Sequence, residues 1–398
     1  EALFDDYDKE LKYEGVLIPQ NVIDKEVRKE IGIGENATNL EILTELCRKG
    51  WKKKKINELS NKQEYIERVK YEIETFDKLG FLSYILLIWD GIRWAKKNKI
   101  PVEVGRGSVS GSLASYLLDI SSIDPIKESL LFSRFLNPTR ASVKIINGKQ
   151  YISGNLADID GDYSFLRRQE YINNYLGVKY KDRISHILTE NKFTTKICLK
   201  DVAKTAFGYS EAEINNITRM VDMLFGKNNS IEETIEKNPE FAKWAKENEE
   251  CVKISNQIMN SVRNYGSHAS GIALTDDIIS NVIPVQLDSN GEITSSFSKT
   301  DLEKVAVKAD YLGLAILDII YQTAQDVNFD LESFDVYNPD IYKHLEKVPT
   351  SPYGIFQLEG DTALKILEQI HPQKFKDICA ISAIARPGAL NFLADYIK

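Results

Sequence analysis

The alternation of apolar and polar residues predicts two adjacent helices in the first quarter of the chain. From Lys62 to Leu79, apolar residues recur at the spacing of one helix face, and Gly80 ends the pattern. A second, more apolar helix is predicted from Leu82 to Lys97, where leucine, tyrosine and tryptophan side chains indicate burial. We therefore expect the first helix to pack by one face and the second to be buried.

Short apolar runs and turn residues predict strands on both sides of a helical stretch. Asn147-Gly148 lies between apolar alternations, which is a strong signal for a β-hairpin over residues 143–152. Residues 210–262 are polar, acidic and helical in pattern, with no obvious strand, whereas residues 1–60 show no clear pattern. The other predicted strands are 101–104, 156–163, 271–274, 293–297 and 305–311, and the other predicted helices are 164–176, 194–206 and the segment from Asp340 onward. This order predicts a mixed-sheet domain with an inserted helical lobe.

The composition is that of an ordinary globular protein, with 43% hydrophobic and 28% charged residues among 398. At roughly 100–200 residues per domain, this length allows roughly two to four domains. No apolar run reaches the roughly 18 residues that a membrane span needs, and no signal segment follows Glu1. We therefore expect a cytoplasmic chain with no membrane partner, and the missing initial methionine suggests a piece of a longer protein.

Charge and metal-binding residue types narrow the chemistry. The net charge of −8 argues mildly against a strong nucleic-acid binder, because such proteins are often basic. The four cysteines and four histidines are scattered, without the spacing of a zinc site. Any metal is therefore expected on carboxylates, which favours Mg²⁺ or Mn²⁺.

Three aspartates alternate along one predicted strand, at Asp158, Asp160 and Asp162. Alternate side chains point to one face at roughly 6.6 Å between neighbours, so these carboxylates would repel one another unless a cation joined them. Two divalent ions would fit between two such aspartates and a third carboxylate from elsewhere. A calcium loop is excluded, because it needs Gly and Glu where Tyr163 and Gln169 stand. A solvated acidic turn stays open as the alternative.

Residues 105–112, which we call the Gly-Ser turn, read GRGSVSGS between a predicted strand and a predicted helix. Glycines such as Gly107 and Gly111 let the backbone approach a ligand, and the N-terminus of the following helix would offer free N–H groups to a phosphate. Ser108 and Ser112 add hydroxyl donors. No Gly-Lys-Ser/Thr sequence follows, so this is not a P-loop. The alternative is a tight turn that packs a helix on a sheet.

A third carboxylate is predicted in the strand at residues 305–311. Lys308 and Asp310 would share one face of this strand, opposite its apolar side chains. A buried Lys–Asp pair is a common structural feature. Beside the acidic strand, the same pair would supply a metal ligand and a cation for a triphosphate or leaving group.

Several segments carry a resemblance to a known family, and they follow one another in that family's order. They are FLSYILLIWDGIRWAKKNKIPVEVGRGSVSGSLASYLLDISSIDPI (81–126), LLFSRFLNPTR (130–140), NLADIDGDY (155–163), FTTKICLKDVAK (193–204), RNYGSHASGIAL (263–274), FSKTDLEKVAVKADYLGL (297–314), IFQLEG (355–360) and IARPGAL (384–390). Together they resemble the C family of bacterial and phage replicative DNA polymerases, to which polymerase III alpha subunits belong. The motifs cover most of residues 60–398.

The resemblance implies an α+β fold. Its centre would be a nucleotidyltransferase palm similar to that of polymerase beta, a mixed sheet with flanking helices, with an inserted helical thumb and the start of helical fingers. The implied domains are an N-terminal connecting segment (1–60), the first part of the palm (61–195), the thumb (196–267), the second part of the palm (268–345) and the start of the fingers (346–398).

The family's metal aspartates fall on Asp158, Asp160 and Asp310, which implies that these three are catalytic and hold two Mg²⁺ ions, with Mn²⁺ as the alternative. Asp162 looks like a supporting carboxylate. Contacts with the nucleotide are implied for Gly107, Ser108, Gly111, Ser112, Arg134, Arg140, Lys308 and Arg386. Lys196, Arg263 and His268 also match motif positions.

The resemblance implies a DNA-directed DNA polymerase that transfers a nucleotide from a dNTP to a primer 3′-hydroxyl on primer–template DNA. A sliding clamp or other replisome subunits would bind through regions outside the chain. Ala157 and Ser298 replace a usual proline and aspartate, and the hairpin at 143–152 looks inserted, which suggests a divergent member of phage origin. Two alternatives stay open: an untemplated nucleotidyltransferase, and a truncated piece that is inactive alone and binds DNA or a partner chain.

Overall fold

The computed structural model divides into two compact units, one of Glu1–Asn191 and Asn264–Asp318, the other of Lys192–Arg263 and Ile319–Lys398. It describes residues 15–20, 22–139, 141–154, 157, 159–224, 227–347, 355–386 and 388–397. Within these residues, no helix is both long and apolar enough to cross a membrane.

Helices make up much of both units. In chain order they are α1 (Lys25–Ile31), α2 (Asn39–Lys53), α3 (Lys62–Lys78), α4 (Leu82–Lys97), α5 (Leu113–Leu117), α6 (Arg168–Tyr171), α7 (Gly177–Tyr180), α8 (Thr195–Phe207), α9 (Glu211–Arg219), α10 (Ile231–Lys237), α11 (Pro239–Glu247), α12 (Glu249–Ile258), α13 (Lys299–Leu302), α14 (Ala315–Asp326), α15 (Pro339–Lys347), α16 (Asp361–Ile370), α17 (Phe375–Ile384) and α18 (Leu393–Ile397). A π-helical stretch, Ile172–Leu176, joins α6 to α7.

The strands form one large mixed sheet and two small ones. In chain order they are β1 (Val16–Leu17), β2 (Val102–Arg106), β3 (Ala141–Ile146), β4 (Lys149–Gly154), β5 (Asp160–Ser164), β6 (Ile184–Lys192), β7 (Met223–Leu224), β8 (Lys227–Asn228), β9 (Val262–Leu274), β10 (Val285–Leu287), β11 (Ile293–Ser295) and β12 (Val307–Leu314). The seven-stranded sheet has the order β10-β11-β6-β9-β12-β5-β2, and β1-β4-β3 form a three-stranded sheet. A mixed sheet with many helices agrees with the expected α+β class at this coarse level.

The middle of the large sheet brings distant segments side by side. Strand β5 pairs in parallel with β12, with Gly161 opposite Tyr311, and it pairs antiparallel with β2 on its other edge. Strand β12 in turn pairs antiparallel with β9. Segments from opposite halves of the sequence are therefore neighbours in the centre of this unit.

The predicted helix pair is confirmed as α3 and α4. Helix α3 buries a stripe that includes Tyr65 and Phe76, whereas most residues of α4 are buried. Both helices contribute to a core that also contains Val102 of β2 and Tyr311 of β12. The polar face of α3 thus corresponds to its exposed side, and the apolar character of α4 corresponds to its burial on most sides.

The predicted hairpin is confirmed as β3 and β4, in which Ile146 pairs with Lys149. The two turn residues both have positive φ, 50° at Asn147 and 75° at Gly148. Asn and Gly tolerate this backbone, which matches the twist of the flanking strands. The local sequence was therefore sufficient to define the turn.

Other predictions were wrong in part. The helix expected from residue 164 begins at Arg168, because Ser164 ends β5 and pairs with Leu314 of β12. Residues 210–262 are mainly helical, but they also contain β7 and β8, which pair with each other. A two-residue strand has no alternation to detect. Helices α1 and α2 lie in the segment where no pattern was clear.

The second unit is mostly helical. Helices α8–α12 surround buried side chains such as Leu199, Ile214 and Phe241. Their many polar residues include capping boxes that start α9 and α10, where Ser210 and Ser230 accept from the backbone of the third helical residue. Helices α16 and α17 enclose a separate apolar cluster.

Candidate active site

Two aspartates of the acidic strand face the same guanidinium group. Arg106 at the end of β2 lies opposite Asp160 in the strand register, after an irregularity that follows Val104. Its Nη2 atom lies 3.7 Å from Oδ2 of Asp160, and its Nε atom lies 3.7 Å from Oδ1 of Asp162. The predicted common face of Asp160 and Asp162 is confirmed, whereas Asp158 lies outside the described residues.

The predicted Lys–Asp pair lies on β12. Lys308 donates a hydrogen bond to Oδ2 of Asp310, and its Nζ atom lies 3.7 Å from Oε1 of Glu303. The side chains of Lys308 and Asp310 are only 6% and 14% exposed. Val307, Ala309 and Tyr311 on the same strand are buried in apolar clusters, as the alternation predicted.

The strand register brings Asp310 next to Asp160. Because Tyr311 pairs with Gly161 in parallel, the preceding residues Asp310 and Asp160 also lie side by side, on strands about 4.8 Å apart. The rings of Tyr163 and Tyr311 meet on the opposite, apolar face, with centroids 5.5 Å apart. We call Asp160, Asp162 and Asp310 the acidic face.

The acidic face has the oxygen atoms that a divalent cation requires. Oδ1 of Asp162 and Oδ1 of Asp310 are buried, and among the described residues they have no hydrogen-bond partner. Burial raises the pKa of Asp162, the charge of Arg106 lowers it, and Asp160 raises it further. Buried carboxylate oxygens that lack donors fit hard cations such as Mg²⁺. No complete group of three metal-ligand side chains occurs within the described residues, which do not include Asp158.

The Gly-Ser turn begins directly beside this face. Gly107 has a φ of 86° and is exposed, as is Ser108, and residues Ser108–Gly111 form a 3₁₀ turn. A Cβ atom on Gly111 would lie 2.7 Å from the carbonyl oxygen of Leu131, so that position must be glycine for the turn to pack there. The exposed part of the turn is therefore its first half.

The expectation of free N–H groups at the N-terminus of α5 is wrong. The N–H groups of Leu113 and Ala114 both donate to the carboxylate of Glu72, each over 2.9 Å. Ser112 is buried, donates its hydroxyl to Glu72 and accepts from the N–H of Ser115. A side chain of the protein thus satisfies the helix end, and contact of Ser112 with a phosphate stays a prediction.

The other predicted nucleotide contacts are spread over the chain. Arg134 is exposed on the 3₁₀ turn Phe132–Arg134, which follows Leu131 beside Gly111. Arg140 lies outside the described residues. Arg386 is exposed after α17 in the second unit.

Sequence reasoning did not assign the role of Gly271. A Cβ atom at Gly271 would lie 3.1 Å from Nδ1 of His268, 3.3 Å from Oδ1 of Asp310 and 2.8 Å from Cδ1 of Ile187. His268 Nδ1 accepts from the N–H of Gly271 over 2.9 Å. Gly271 therefore leaves room for Asp310 and His268, and a glycine opposite an acidic strand position is the signal that points to it.

Family models match the whole stretch that holds this site. Residues 41–313 match the bacterial DNA polymerase III alpha NTPase domain, and residues 314–398 match the bacterial DNA polymerase III alpha subunit finger domain. The chain therefore belongs to the bacterial DNA polymerase III alpha family, which confirms the resemblance.

Individual relatives agree with this assignment. The chain is 34% identical over 368 residues to the DNA polymerase III subunit alpha of Ureaplasma parvum, with 90% of this chain and 36% of the relative covered. It is 31% identical over 397 residues to the subunit of Aquifex aeolicus, with 90% and 32% covered. It is 33% identical over 341 residues to that of Staphylococcus aureus, with 84% and 30% covered. The chain thus spans about a third of the length of these relatives.

Proposed function

We propose that this chain carries the nucleotidyltransferase centre of a DNA-directed DNA polymerase. The observation that carries the proposal is the proximity of Asp160 and Asp310 on the polar face of two neighbouring parallel strands. The Gly-Ser turn starts at the end of the adjacent strand β2. Carboxylates beside a glycine-rich turn are a suitable arrangement for a reaction at a polyphosphate.

Residues 61–191 and 268–318 of the first unit form most of a palm of the polymerase-beta kind in this proposal. Its mixed sheet supports the acidic residues on strands, and rigid strands hold catalytic side chains more accurately than loops do. Residues 196–267 act as the thumb, and residues 346–398 form the start of the fingers. The palm comprises 61–195 and 268–345, after an N-terminal connecting segment at 1–60.

Asp158, Asp160 and Asp310 would hold two divalent ions, Mg²⁺ or alternatively Mn²⁺. Oδ1 of Asp310, which has no hydrogen-bond partner among the described residues, supports this assignment together with the carboxylate-rich donor set. When bound, such ions lower the pKa of a primer hydroxyl and neutralise charge on the phosphates. Asp162 keeps Arg106 beside the acidic face through their ion pair.

The basic and glycine residues position the triphosphate. Gly107 and Ser108, the exposed half of the turn, approach the phosphates, while Gly111 and Ser112 hold the turn in place. Lys308 adds a positive charge next to Asp310. Arg134, Arg140 and Arg386 are the further basic contacts that we propose. The partners are a dNTP and primer–template DNA, with a sliding clamp or other replisome subunits bound through regions outside this chain.

Primer extension by the 398-residue chain tests the proposal. We expect Asp160→Asn and Asp310→Asn each to reduce extension by about 100-fold or more, because each removes a carboxylate charge from the metal site. Asp301→Asn is the matched control, since Asp301 is exposed and bonds only Ser298 and Lys304 among the described residues. This variant should keep activity within about twofold. Full activity of Asp160→Asn would contradict the assignment.

A template control separates templated synthesis from untemplated transfer. We expect incorporation to follow the template base, so that a mismatched dNTP is used far more slowly than the matched one. Equal use of all four dNTPs would instead favour the untemplated alternative. If the chain binds a dNTP but extends no primer, the split-polymerase alternative is favoured.

A further inference from the structure

A buried glutamate lies beneath the second half of the Gly-Ser turn. The Glu72 side chain of α3 is 0% exposed. It accepts from the hydroxyl of Ser112 over 2.8 Å and from the N–H groups of Leu113 and Ala114 over 2.9 Å each. Glu72 therefore satisfies the N–H groups at the start of α5, which have no acceptor within the helix.

Arg68, one helical turn earlier on α3, completes the arrangement. Its Nε–H donates to Glu72 over 2.6 Å. Its Nη2 group donates to the carbonyl oxygen of Gly111 over 2.7 Å and to that of Leu130 over 3.1 Å. The pair thus holds the end of the turn from both its N–H and its carbonyl groups.

Stability alone is a weak reason for this pair. A buried ion pair loses its hydration, and apolar residues of the same size often stabilise a protein as well or better. Burial raises the pKa of Glu72, while the N–H groups of Ala114 and Leu113, the Ser112 hydroxyl and Arg68 lower it. The directed hydrogen bonds of the pair instead hold residues 111–114 in one conformation.

We propose that Arg68 and Glu72 are positioning residues for the nucleotide, acting through the Gly-Ser turn. They fix residues 111–114, so that Gly107 and Ser108 are presented beside the acidic face. They also bond the N–H groups of Leu113 and Ala114, while the first half of the turn stays exposed for the phosphates. This inference rests on the proposed function and adds residues that do not touch the substrate.

The test compares Glu72→Gln with a matched buried carboxylate. Asp90→Asn on α4 is the control, because Asp90 is as buried as Glu72. The Asp90 carboxylate accepts hydrogen bonds from Tyr175 over 2.8 Å and from Arg93 over 2.9 Å. Two readouts are made on the full chain: hydrogen exchange of the Leu113 and Ala114 amides, and binding of the fluorescent nucleotide mant-dATP with Mg²⁺.

The Leu113 and Ala114 amides bond different oxygens of Glu72, and glutamine keeps only one of these oxygens. We therefore expect Glu72→Gln to speed exchange of one of the two amides by about tenfold and to weaken mant-dATP binding by about tenfold. The glutamine NH₂ group cannot accept the second bond. Asp90→Asn should change neither amide exchange nor mant-dATP binding by more than about twofold. This should hold even if Asp90→Asn lowers the melting temperature as much as Glu72→Gln does. Arg68→Lys keeps the charge but loses the forked donors, so an intermediate loss of about threefold is expected.

Different failures have different meanings. If the wild-type chain does not bind mant-dATP, the proposed function fails and the inference fails with it. If the wild-type chain binds and Glu72→Gln binds equally well, only the inference fails. Unchanged amide exchange in Glu72→Gln, or an equal loss of binding in Asp90→Asn, would overturn the positioning role as well. If Glu72→Gln does not fold, Arg68→Lys decides by the same two measurements.

Discussion

Arg106 forms ion pairs with Asp160 and Asp162, yet burial still determines the direction in which the pKa of Asp162 shifts. Asp162 is buried, and this burial raises its pKa more than the charge of Arg106 lowers it. The unfolded chain therefore loses the Asp162 proton at a lower pH than the folded chain does. The ionised carboxylate thus opposes folding in the absence of a bound cation.

This sign gives a prediction for Asp162→Asn. Below the ordinary pKa of about 3.8, Asp162 is protonated in both states and makes no pH-dependent contribution. As the pH rises from there through the raised pKa, the wild-type protein loses stability that the asparagine variant keeps. We expect the melting temperature of Asp162→Asn, relative to wild type, to be higher at pH 7 than at pH 3.5 in metal-free buffer.

Thermal unfolding of both proteins across that pH range measures this difference. Addition of Mg²⁺ should reduce or reverse the advantage of the variant at pH 7, because the cation interacts with the wild-type carboxylate. A melting-temperature difference that does not vary with pH would show that burial does not raise the pKa of Asp162.

Gly271 shows how one missing side chain permits the site geometry. In Gly271→Ala, the new Cβ atom would press on Ile187, His268 and the carboxylate of Asp310. We expect the unfolding free energy to fall by about 1–3 kcal/mol. Primer extension should fall by more than this loss of stability alone explains, because the carboxylate of Asp310 is displaced. Gly34→Ala is the control, since a Cβ atom there meets nothing within 4 Å. An active Gly271→Ala protein would contradict the close approach to Asp310.

Among the elements, the β3–β4 hairpin was the easiest to predict, because its turn depends on two residues. Gly148 has a φ of 75° and open space around it. Gly148→Ala should therefore lower the unfolding free energy by about 1 kcal/mol, through backbone strain alone. Gly34→Ala has equal space without that strain and should change little. Chemical denaturation measures both, and equal effects would contradict the argument.

Helices and strand faces could be predicted where one period decides burial. Helix α3 and the common face of Asp160 and Asp162 followed from spacing alone. The boundary at Ser164 could not, because its strand conformation depends on pairing with Leu314. The role of Glu72 was also out of reach. On α3 it reads as one more polar helical residue, and only tertiary structure brings it to the end of α5.

At the scale of the whole molecule, the net charge of −8 sets an expectation for DNA binding. A chain with this charge should bind DNA weakly and contact few phosphates. With about two phosphate contacts, affinity should fall about tenfold between 50 and 200 mM salt. Fluorescence anisotropy with a labelled primer–template measures this dependence. Tight binding that ignores salt would contradict the expectation.

The parallel pairing of β5 with β12 has a consequence for how such chains diversify. The two strands come from opposite halves of the sequence, and a long segment of helices and further strands separates them. Each doubling of a flexible connection costs only about 0.6 kcal/mol in closure entropy, whereas a one-residue slip would turn Asp310 to the other side of the sheet. We therefore expect relatives to differ in the length of the segment between these strands and to keep the pairing of Gly161 with Tyr311.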